Sequence, residues 1–579
     1  MSSFLDELRR RNVFKVSAAY AAVAWLIAQV AETAFPVFEL PNTLLRAVFV
    51  VLAVGFLVTV ALAWIYDLTP AGIRRTDDLP AGVDSQRLPG RVLDFIIIAC
   101  LTVTVLFLLL DRYYISSMPG DVVASIAVLP FDSDSSEPNA DIAYLREGLS
   151  DSLIMRLSRI PHIRVKSRSM IRHADEDVQT IGATLGVDAV FMGRVSQRED
   201  TLDFRVELVD ASDGSVMWSD RFTRHIANLI SIESEVSAAI STALSLRLSD
   251  EEEAHLVRPP TDNATAYRLY LQGRYFWNQR SEAGLRRSAD LFRQAIDLDP
   301  NYALAWSGLA DSYFMLFGWG IEPPETTVAK VRSAALRAVE LDPSLAEPHA
   351  TLGYLKTLVD WDWDGAEQEF LTAIELNHNY STAHHWYAFY LSTVGDSKAA
   401  IEEILMARDS EPLSPIINSE VGFFYMYDDQ YAKAIEELRA ASLISPDFPS
   451  ITSGLVRALA LSGGADEALK ILNSGRSDFG DSIVGAGYGN MVLPLLGLND
   501  EARTFYEFAL KTSASTYVMP GLLGVLAASM GDRDAAFAHF DQALNERSMV
   551  ISWLRDPLIS DIRDDPRYAE LFERVGLTP

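Results

Sequence analysis

The stretch Ala434-Ile-Glu-Glu-Leu438-Arg-Ala-Ala441 decides the fold of the larger part of this chain. It places a small residue, a large apolar residue four positions later, and a second small residue three positions after that. The pattern recurs every 34 residues. Its first small residues are Ala366, Ala400, Ala434, Ala468, Ala502 and Ala536. The large residues are Phe370, Ile404, Leu438, Leu472, Tyr506 and Phe540, and the second small residues are Ala373, Ala407, Ala441, Gly475, Ala509 and Ala543. Small side chains let two helix backbones approach, so the pattern predicts a solenoid of stacked helical hairpins.

Thirty-four residues is the length of a tetratricopeptide repeat, which is a helix–turn–helix unit. Prolines end the second helix of four units, at positions 300, 343, 412 and 446. Residues 261–544 therefore resemble the tetratricopeptide repeat (TPR) family, with about eight units. Residues 556–576 are typical of a capping helix. The resemblance implies an all-α TPR solenoid over residues 256–579.

Residues 117–255 predict a small α/β domain. Their alternation gives the order strand, helix, strand, helix, three strands, helix, with a turn at Asp213-Gly214. Four segments resemble the amino-terminal domain of the periplasmic TolB family: Ser125-Ile-Ala-Val-Leu-Pro-Phe131, Gly148-Leu-Ser-Asp-Ser-Leu153, Leu185-Gly-Val-Asp-Ala189 and Asp213-Gly-Ser-Val-Met-Trp218. This resemblance implies a non-catalytic interaction domain.

Three long apolar runs lie near the N-terminus, at residues 16–31, 47–66 and 95–110. Runs of this kind predict an α-helical membrane anchor with three spans over residues 1–116. A cleaved signal peptide and a buried helical hairpin are the alternatives. Arginines concentrate before the first run and between the second and third, which favours a cytoplasmic N-terminus. The expected location is the bacterial inner (cytoplasmic) membrane, multi-pass, with the C-terminal domains in the periplasm.

Charge and cysteine content exclude several classes of function. The formal net charge is −30, and all of it falls in residues 121–579. Such an acidic surface repels phosphate, so we expect no nucleic-acid partner. Cys100 is the single cysteine, which rules out intrachain disulfides and cysteine-based metal clusters.

No constellation of residues predicts catalysis. His378, His384 and His385 are close in sequence, but adjacent histidines on a helix diverge by about 100° and do not easily share a metal. Ser150 and Asp151 fit the surface of a capped helix better than an active site. The sequence therefore predicts no enzyme activity, no metal and no cofactor.

Aromatic residues on the first helices of the later repeats indicate where a partner would bind. Solenoids bind extended peptides on their concave face. We expect His385, Phe389, Phe423 and Tyr427 to line such a peptide groove.

Two functions remain open at this stage. The order of spans, TolB-like module and repeats resembles bacterial membrane proteins that often carry an adenylate cyclase or a winged-helix head, for which Met1–Phe14 is too short. The favoured hypothesis is an inner-membrane scaffold that holds a protein partner through its extracytoplasmic region. The alternative is a sensor or regulatory subunit of a transmembrane signalling system that lacks its own output domain. The expected partners are one or more proteins and the lipid bilayer, with a homo-oligomer possible.

Overall fold

The computed structural model describes residues 125–133, 140–160, 163–167, 177–198, 201–225, 229–244, 258–475, 487 and 489–579. Nearer the N-terminus it describes residues 66–69 and 72–75 and single positions within 17–28 and 52–59. The chain divides into two compact units, Met1–Pro119 and Gly120–Pro579.

The first unit does not support the predicted membrane anchor. Its described strands, β1 (Tyr66–Thr69) and β2 (Gly72–Arg75), form an antiparallel hairpin. Within the described part of the chain, no helix is both long enough and apolar enough to cross a bilayer. On this finding the three-span fold class and the multi-pass inner-membrane location are wrong, and the expected lipid partner is not supported.

A long apolar run indicates that its side chains are removed from water. A membrane-spanning helix also requires about 20 continuous helical residues. Tyr66, where the second predicted span ends, begins a strand instead. The third predicted span, and most residues of the first two, lie outside the described residues. The fold class is corrected to a mainly helical chain with a small sheet and a TPR-like repeat region.

The second unit begins with the α/β domain, whose strands and helices follow the predicted order along the chain apart from an additional two-residue strand, Asp132–Ser133. Its elements are β3 (Ser125–Val128), β4 (Asp132–Ser133), α1 (Ala140–Leu157), β5 (Arg164–Ser167), α2 (Val178–Leu185), β6 (Ala189–Arg198), β7 (Thr201–Asp210), β8 (Val216–His225) and α3 (Leu229–Ala243). The sheet order is β5-β3-β6-β7-β8, and β4 pairs with β6. The β3 pairs are parallel, whereas β6, β7 and β8 form an antiparallel meander.

Alternation along the strands assigns the two faces of this sheet. Ile126 and Val128 lie in one core with α1 and α3, whereas Ala127 lies in another with Ile181 of α2. In β7 the apolar residues at alternate positions, Leu202, Phe204, Val206 and Leu208, are all buried. Side chains of a strand point alternately to its two faces, so each face carries its own helical layer.

The rest of the unit is a solenoid of TPR-like helical hairpins, as the repeat predicted. The first helices of the hairpins are α4 (Ala264–Asn278), α6 (Ala303–Gly318), α8 (Ala346–Leu355), α10 (Ser381–Val394), α12 (Pro415–Tyr427), α14 (Pro449–Leu461) and α17 (Pro520–Ser529). The second helices are α5 (Glu282–Leu298), α7 (Pro324–Leu341), α9 (Trp363–Leu376), α11 (Ser397–Ser410), α13 (Tyr431–Ile444), α15 (Ala465–Gly475) and α18 (Arg533–Asn545). Between α15 and α17 lies α16 (Asn499–Ser513).

Two further features complete the description of the array. The helix α8 continues as a π-helical turn, Lys356–Asp360. The C-terminus carries α19 (Ile551–Leu554), a 3-10 turn (Pro557–Ile562) and α20 (Pro566–Arg574), which includes the predicted capping helix.

Packing within the hairpins explains the small residues of the repeat. Ala434 and Leu438 are fully buried and Ala441 is 3% exposed. A Cβ atom added at Gly422 would lie 2.4 Å from Cγ of Leu438, so the Leu438 side chain packs directly against the backbone of the facing helix α12. The predicted close approach of paired helices is confirmed at this hairpin.

The α/β domain and the solenoid share a hydrophobic core within the second unit. A buried carboxylate, Glu233 of α3, connects them. It accepts hydrogen bonds from Ser152 Oγ at 2.5 Å and Arg156 Nε at 2.7 Å, both of α1. It also accepts one from the hydroxyl of Tyr267 in α4. A buried charge with three donors fixes the two parts to each other. The predicted boundaries 117–255 and 256–579 stay predictions.

Candidate protein-binding surface

The first helices of the hairpins from α4 to α14 contact one another in succession and form a continuous surface, here called the inner surface. Aromatic rings connect three of these helices. The ring centroids of Phe314 and Tyr354 are 5.0 Å apart, and those of Tyr354 and Phe389 are 5.1 Å apart. Solenoids bind partners on such surfaces, so the inner surface is the candidate functional site.

The four residues expected to line a peptide groove lie on two neighbouring first helices. His385 and Phe389 belong to α10, and Phe423 and Tyr427 to α12. Phe423 is buried and the other three are half-buried. Phe389 and Tyr427 line one narrow cleft. The structure therefore brings these two residues together, with Phe423 on the same helix as Tyr427.

The opposite wall of this cleft comes from the C-terminal segment, defined here as residues 547–579. Ile551 and Arg555 lie against Phe389 and Tyr427. Arg555 donates a hydrogen bond from Nε to the backbone carbonyl oxygen of Thr393 at 2.8 Å. The chain itself thus occupies the aromatic part of the inner surface.

An ion pair fixes the C-terminal segment one hairpin further on. Asp556 pairs with Arg457 of α14, and neither side chain is more than 2% exposed. The guanidinium carbon of Arg457 lies 5.9 Å from the ring centroid of Phe423 and 6.0 Å from that of Tyr427. Phe423 and Tyr427 therefore contact a cation that is neutralised from within the chain.

The same segment also reaches the third hairpin. Arg547 donates to the carbonyl oxygen of Val359 at 3.1 Å, and its guanidinium lies 3.7 Å from the Trp361 ring centroid. Trp363 Nε1 donates to the carbonyl oxygen of Val575 at 2.8 Å. The residues Phe389, Thr393, Phe423, Tyr427 and Arg457 are called the covered part of the inner surface.

His385 belongs to a different group, the polar cluster. Its members are Arg274, Arg280, Asp311, Glu347, Tyr380, His385 and Glu411. The charges that act on the pKa of Arg280 are those of Arg274, Glu411, Asp311 and Tyr380, and Arg280 in turn acts on His385. Side chains from four hairpins therefore converge. Among the described residues, no hydrogen bond or ion pair joins this cluster to the C-terminal segment.

The α/β domain borders the polar cluster. Arg274 donates from Nε to Asp151 of α1 at 2.7 Å. Arg159 lies 3.6 Å from the Glu347 carboxylate. Nearby, Asn379 donates from Nδ2 to the backbone carbonyl oxygens of Ser158 and Ile163, at 2.9 and 3.0 Å. These contacts hold the α/β domain along one edge of the inner surface.

Burial shifts the titration of the polar cluster. It raises the pKa of Asp311 to about 6, although Thr351 donates a hydrogen bond to this carboxyl group at 2.6 Å. Burial, and then the charge of Arg274, lowers the pKa of Arg280 to about 10. Burial, and then the charge of Arg280, lowers the pKa of His385 to about 4. At neutral pH His385 is therefore uncharged and Arg280 charged.

The remaining chemical candidates have structural partners. His384 is buried, and its Nδ1 lies 2.6 Å from Glu403 and its Nε2 3.0 Å from the His378 carbonyl oxygen. Ser150 donates to the Arg146 carbonyl oxygen at 2.8 Å. Within the described ranges, no group of three His, Cys, Asp or Glu side chains could hold a metal.

Sequence reasoning missed Arg280, Trp277 and Asp556. Arg280 follows α4 with a φ of 49°, a conformation that no local motif marks. The Asp556 pair joins residues 99 positions apart. For Trp277 the density of aromatic residues was a signal, but it did not separate inner-surface from core positions.

The family model described as HilA/YgeH-like transcriptional regulator, second domain, matches residues 122–239. This is the range of the α/β domain.

Curated relatives match larger parts of the chain. Putative adenylate cyclase 3 of Rhizobium meliloti is 25% identical over 233 residues, 39% of this chain and 39% of that protein. Transcriptional regulator HilA of Salmonella typhimurium is 23% identical over 302 residues, 51% of this chain and 53% of that protein. The chain thus spans about half or less of the length of these relatives.

Among solved structures, similar chains include the Pseudomonas aeruginosa pilF protein, at 17% identity and a TM-score of 0.28, with 36% of this chain and 93% of that chain covered. A thermophilic TPR protein of Thermus thermophilus is 16% identical with a TM-score of 0.30, and the match covers 34% of this chain and 98% of that chain.

Proposed function

We propose that this chain is a non-catalytic scaffold whose TPR-like solenoid holds a protein partner on the inner surface, at and around the polar cluster. The observation that supports the proposal is that one part of this surface is covered by the chain itself and another part is accessible. The aromatic part is covered by the C-terminal segment, whereas Arg280, Tyr380, His385 and Glu411 are half-buried and remain accessible. Of the four groove residues, His385 is therefore assigned to the partner contact, and Phe389 to its border.

The α/β domain fits this function because it is held beside the polar cluster, where a bound partner would contact it. Its resemblance to the TolB amino-terminal domain implies an interaction module, and its ion pairs with Arg274 and Glu347 place it beside the polar cluster. A partner segment lying on the polar cluster would contact both the solenoid and α1.

A regulatory role is the second candidate. It is favoured by the names of the two relatives, an adenylate cyclase and a transcriptional regulator, both of which are signalling proteins. In this second hypothesis, binding of the partner to the solenoid changes its conformation. The Glu233 contacts transmit that conformational change to the α/β domain, which acts on a signalling protein.

Site-specific photo-crosslinking tests the scaffold. Benzoylphenylalanine is introduced at His385 in the polar cluster, and in a matched variant at Leu336 of α7, which is 53% exposed on a second helix. Both proteins are irradiated in their native cells, and the adducts are identified by mass spectrometry.

We expect a defined protein adduct from position 385 and none from position 336. An adduct from position 336 alone, or none from position 385, would refute the proposed surface. An adduct that contains only a second copy of the chain would replace the scaffold by a homo-oligomer.

A further inference from the structure

Arg280 and Trp277 combine two unusual features at the mouth of the polar cluster. The guanidinium carbon of Arg280 lies 3.6 Å from the Trp277 ring centroid, and that of Arg274 lies 4.7 Å from it. Trp277 is 4% exposed, and its indole nitrogen has no hydrogen-bond acceptor among the described residues. Buried polar groups are nearly always paired, so an unpaired indole donor needs an explanation.

The guanidinium donors of Arg280 are also unused. Within the described part of the chain, no carboxylate lies within ion-pair distance of this guanidinium and no acceptor takes a hydrogen bond from it, whereas the backbone N–H of Arg280 donates to the Trp277 carbonyl oxygen at 3.2 Å. Its neighbours are engaged elsewhere. Arg274 is bonded to Asp151, Asp311 to Thr351, and Glu411 to Ser381.

The backbone conformation of Arg280 is also unusual. A φ of 49° lies in the left-handed region, which is uncommon for residues other than glycine. Stacking on Trp277 then holds the guanidinium plane in one place, since planar cations pack on aromatic faces. A fixed guanidinium with unused donors is preorganised for a planar, two-oxygen acceptor.

Burial and a neighbouring guanidinium disfavour the positive charges of Arg280 and His385, although the polar cluster also holds the carboxyl groups of Asp311, Glu347 and Glu411. The pKa of Arg280 and that of His385 are both lowered, to about 10 and about 4, so their surroundings disfavour positive charge. Burial is the main cause, and the second cause is the neighbouring guanidinium in each case. The charge of a bound carboxylate would stabilise the charged form of Arg280 and so raise its pKa.

We infer that Arg280, together with the indole N–H of Trp277, binds a carboxylate group. The inference rests on the proposed function, because the carboxylate would belong to the partner segment that lies on the polar cluster. Two sources share this chemistry: an Asp or Glu side chain and a C-terminal carboxylate.

Fluorine NMR of the full chain labelled with 5-fluorotryptophan measures this binding directly. The Trp277→Phe variant assigns the Trp277 resonance among the 10 tryptophans. The probes are N-acetylglutamate α-amide, with a side-chain carboxylate, and N-acetylalanine, with a terminal carboxylate. N-acetylglutamine amide and N-acetylalanine amide are the uncharged controls, and sodium chloride holds the ionic strength constant.

We expect a saturable shift of the Trp277 resonance with one or both carboxylates, in the millimolar range typical of so small a ligand. Arg280→Gln should weaken binding about tenfold or more, and Arg280→Lys should restore part of it because a point charge replaces the fork. Arg286→Gln, which removes a solvent-exposed pair with Glu282, should leave binding unchanged.

A shift with only one probe identifies the source of the carboxylate. No shift beyond the amide controls, or equal affinity in wild type and Arg280→Gln, would overturn the inference and leave the stacking on Trp277 as the whole role of Arg280. Because this titration contains no partner protein, its failure would not affect the crosslinking result at position 385, and the two proposals fail separately.

Discussion

The covered part of the inner surface and the polar cluster both lie along the first helices of the hairpins. They differ in whether their charged and aromatic side chains already have partners within the chain. In the covered part, Arg457 has its carboxylate in Asp556, and Phe389 and Tyr427 pack against residues of the C-terminal segment. In the polar cluster, Arg280 has no carboxylate within ion-pair distance among the described residues, and His385 is only half-buried. The comparison teaches that aromatic content alone does not identify a binding face. A surface that already holds a chain segment contributes to stability, whereas one with unused donors can bind a partner.

Breaking the ion pair of the covered part should have the largest effect. Asp556→Ala leaves the buried guanidinium of Arg457 without its carboxylate, and removing one partner of a buried pair costs about 3–5 kcal/mol. Urea unfolding measures this loss. The matched control is Glu467→Ala, which removes the partner of Arg439 in a pair about half exposed on both sides and should cost at most about 1 kcal/mol. Equal losses in the two variants would contradict the assigned role of Asp556.

Overpacking the repeat should come next. Ala434→Trp forces a large side chain into a site with no exposed surface, at an expected cost of about 1–3 kcal/mol or more. Ala440→Trp, on the exposed side of the same helix, is the control. Thermal unfolding of both variants should show a clear drop in melting temperature for the first alone. A melting curve of Ala434→Trp that matches wild type would disprove the close helix packing at this repeat.

A pH-dependent effect should be smaller. Burial raises the pKa of Glu420, in α12, to about 7. A carboxyl group whose pKa is higher in the folded than in the unfolded state stabilises the fold below its unfolded value, and this stability is lost as the pH rises through the folded value. Glu420→Gln should therefore raise the melting temperature at pH 8 and change it little at pH 4. Glu436→Gln, at an exposed position, should show no such difference. Equal effects of Glu420→Gln at the two pH values would rule out this titration.

The sequence predicted the features that local patterns encode. The solenoid followed from small residues at a fixed period, because Ala434 is fully buried between the helices and Gly422 leaves room for the Leu438 side chain. The succession of strands along the α/β domain followed from the alternation of apolar and polar residues. The alternating burial along β7 shows this pattern. Both patterns involve residues within one or two elements.

The candidate site could not be predicted in the same way. The contacts that cover Phe389 and Tyr427 join residues more than 100 positions apart, such as Arg555 and Thr393 at 162. Nothing near Phe423 in the sequence indicates that Arg457 and Asp556 meet beside it. The membrane prediction rested on apolar runs alone, and within the described part of the chain no helix is both long enough and apolar enough to cross a bilayer.

One measurement tests most directly the claim that a partner binds at the polar cluster and not at the aromatic cleft. Ser392→Cys and Arg555→Cys are combined in a Cys100→Ser background, and the two half-buried cleft residues are bridged with a short bismaleimide so that the C-terminal segment cannot leave. Partner capture from cell extract is then compared between the bridged and unbridged protein, with the two single-cysteine variants as controls. We predict equal capture, because the partner contacts the polar cluster and leaves the cleft closed. Loss of capture on bridging would contradict this account and show that the aromatic cleft opens to bind.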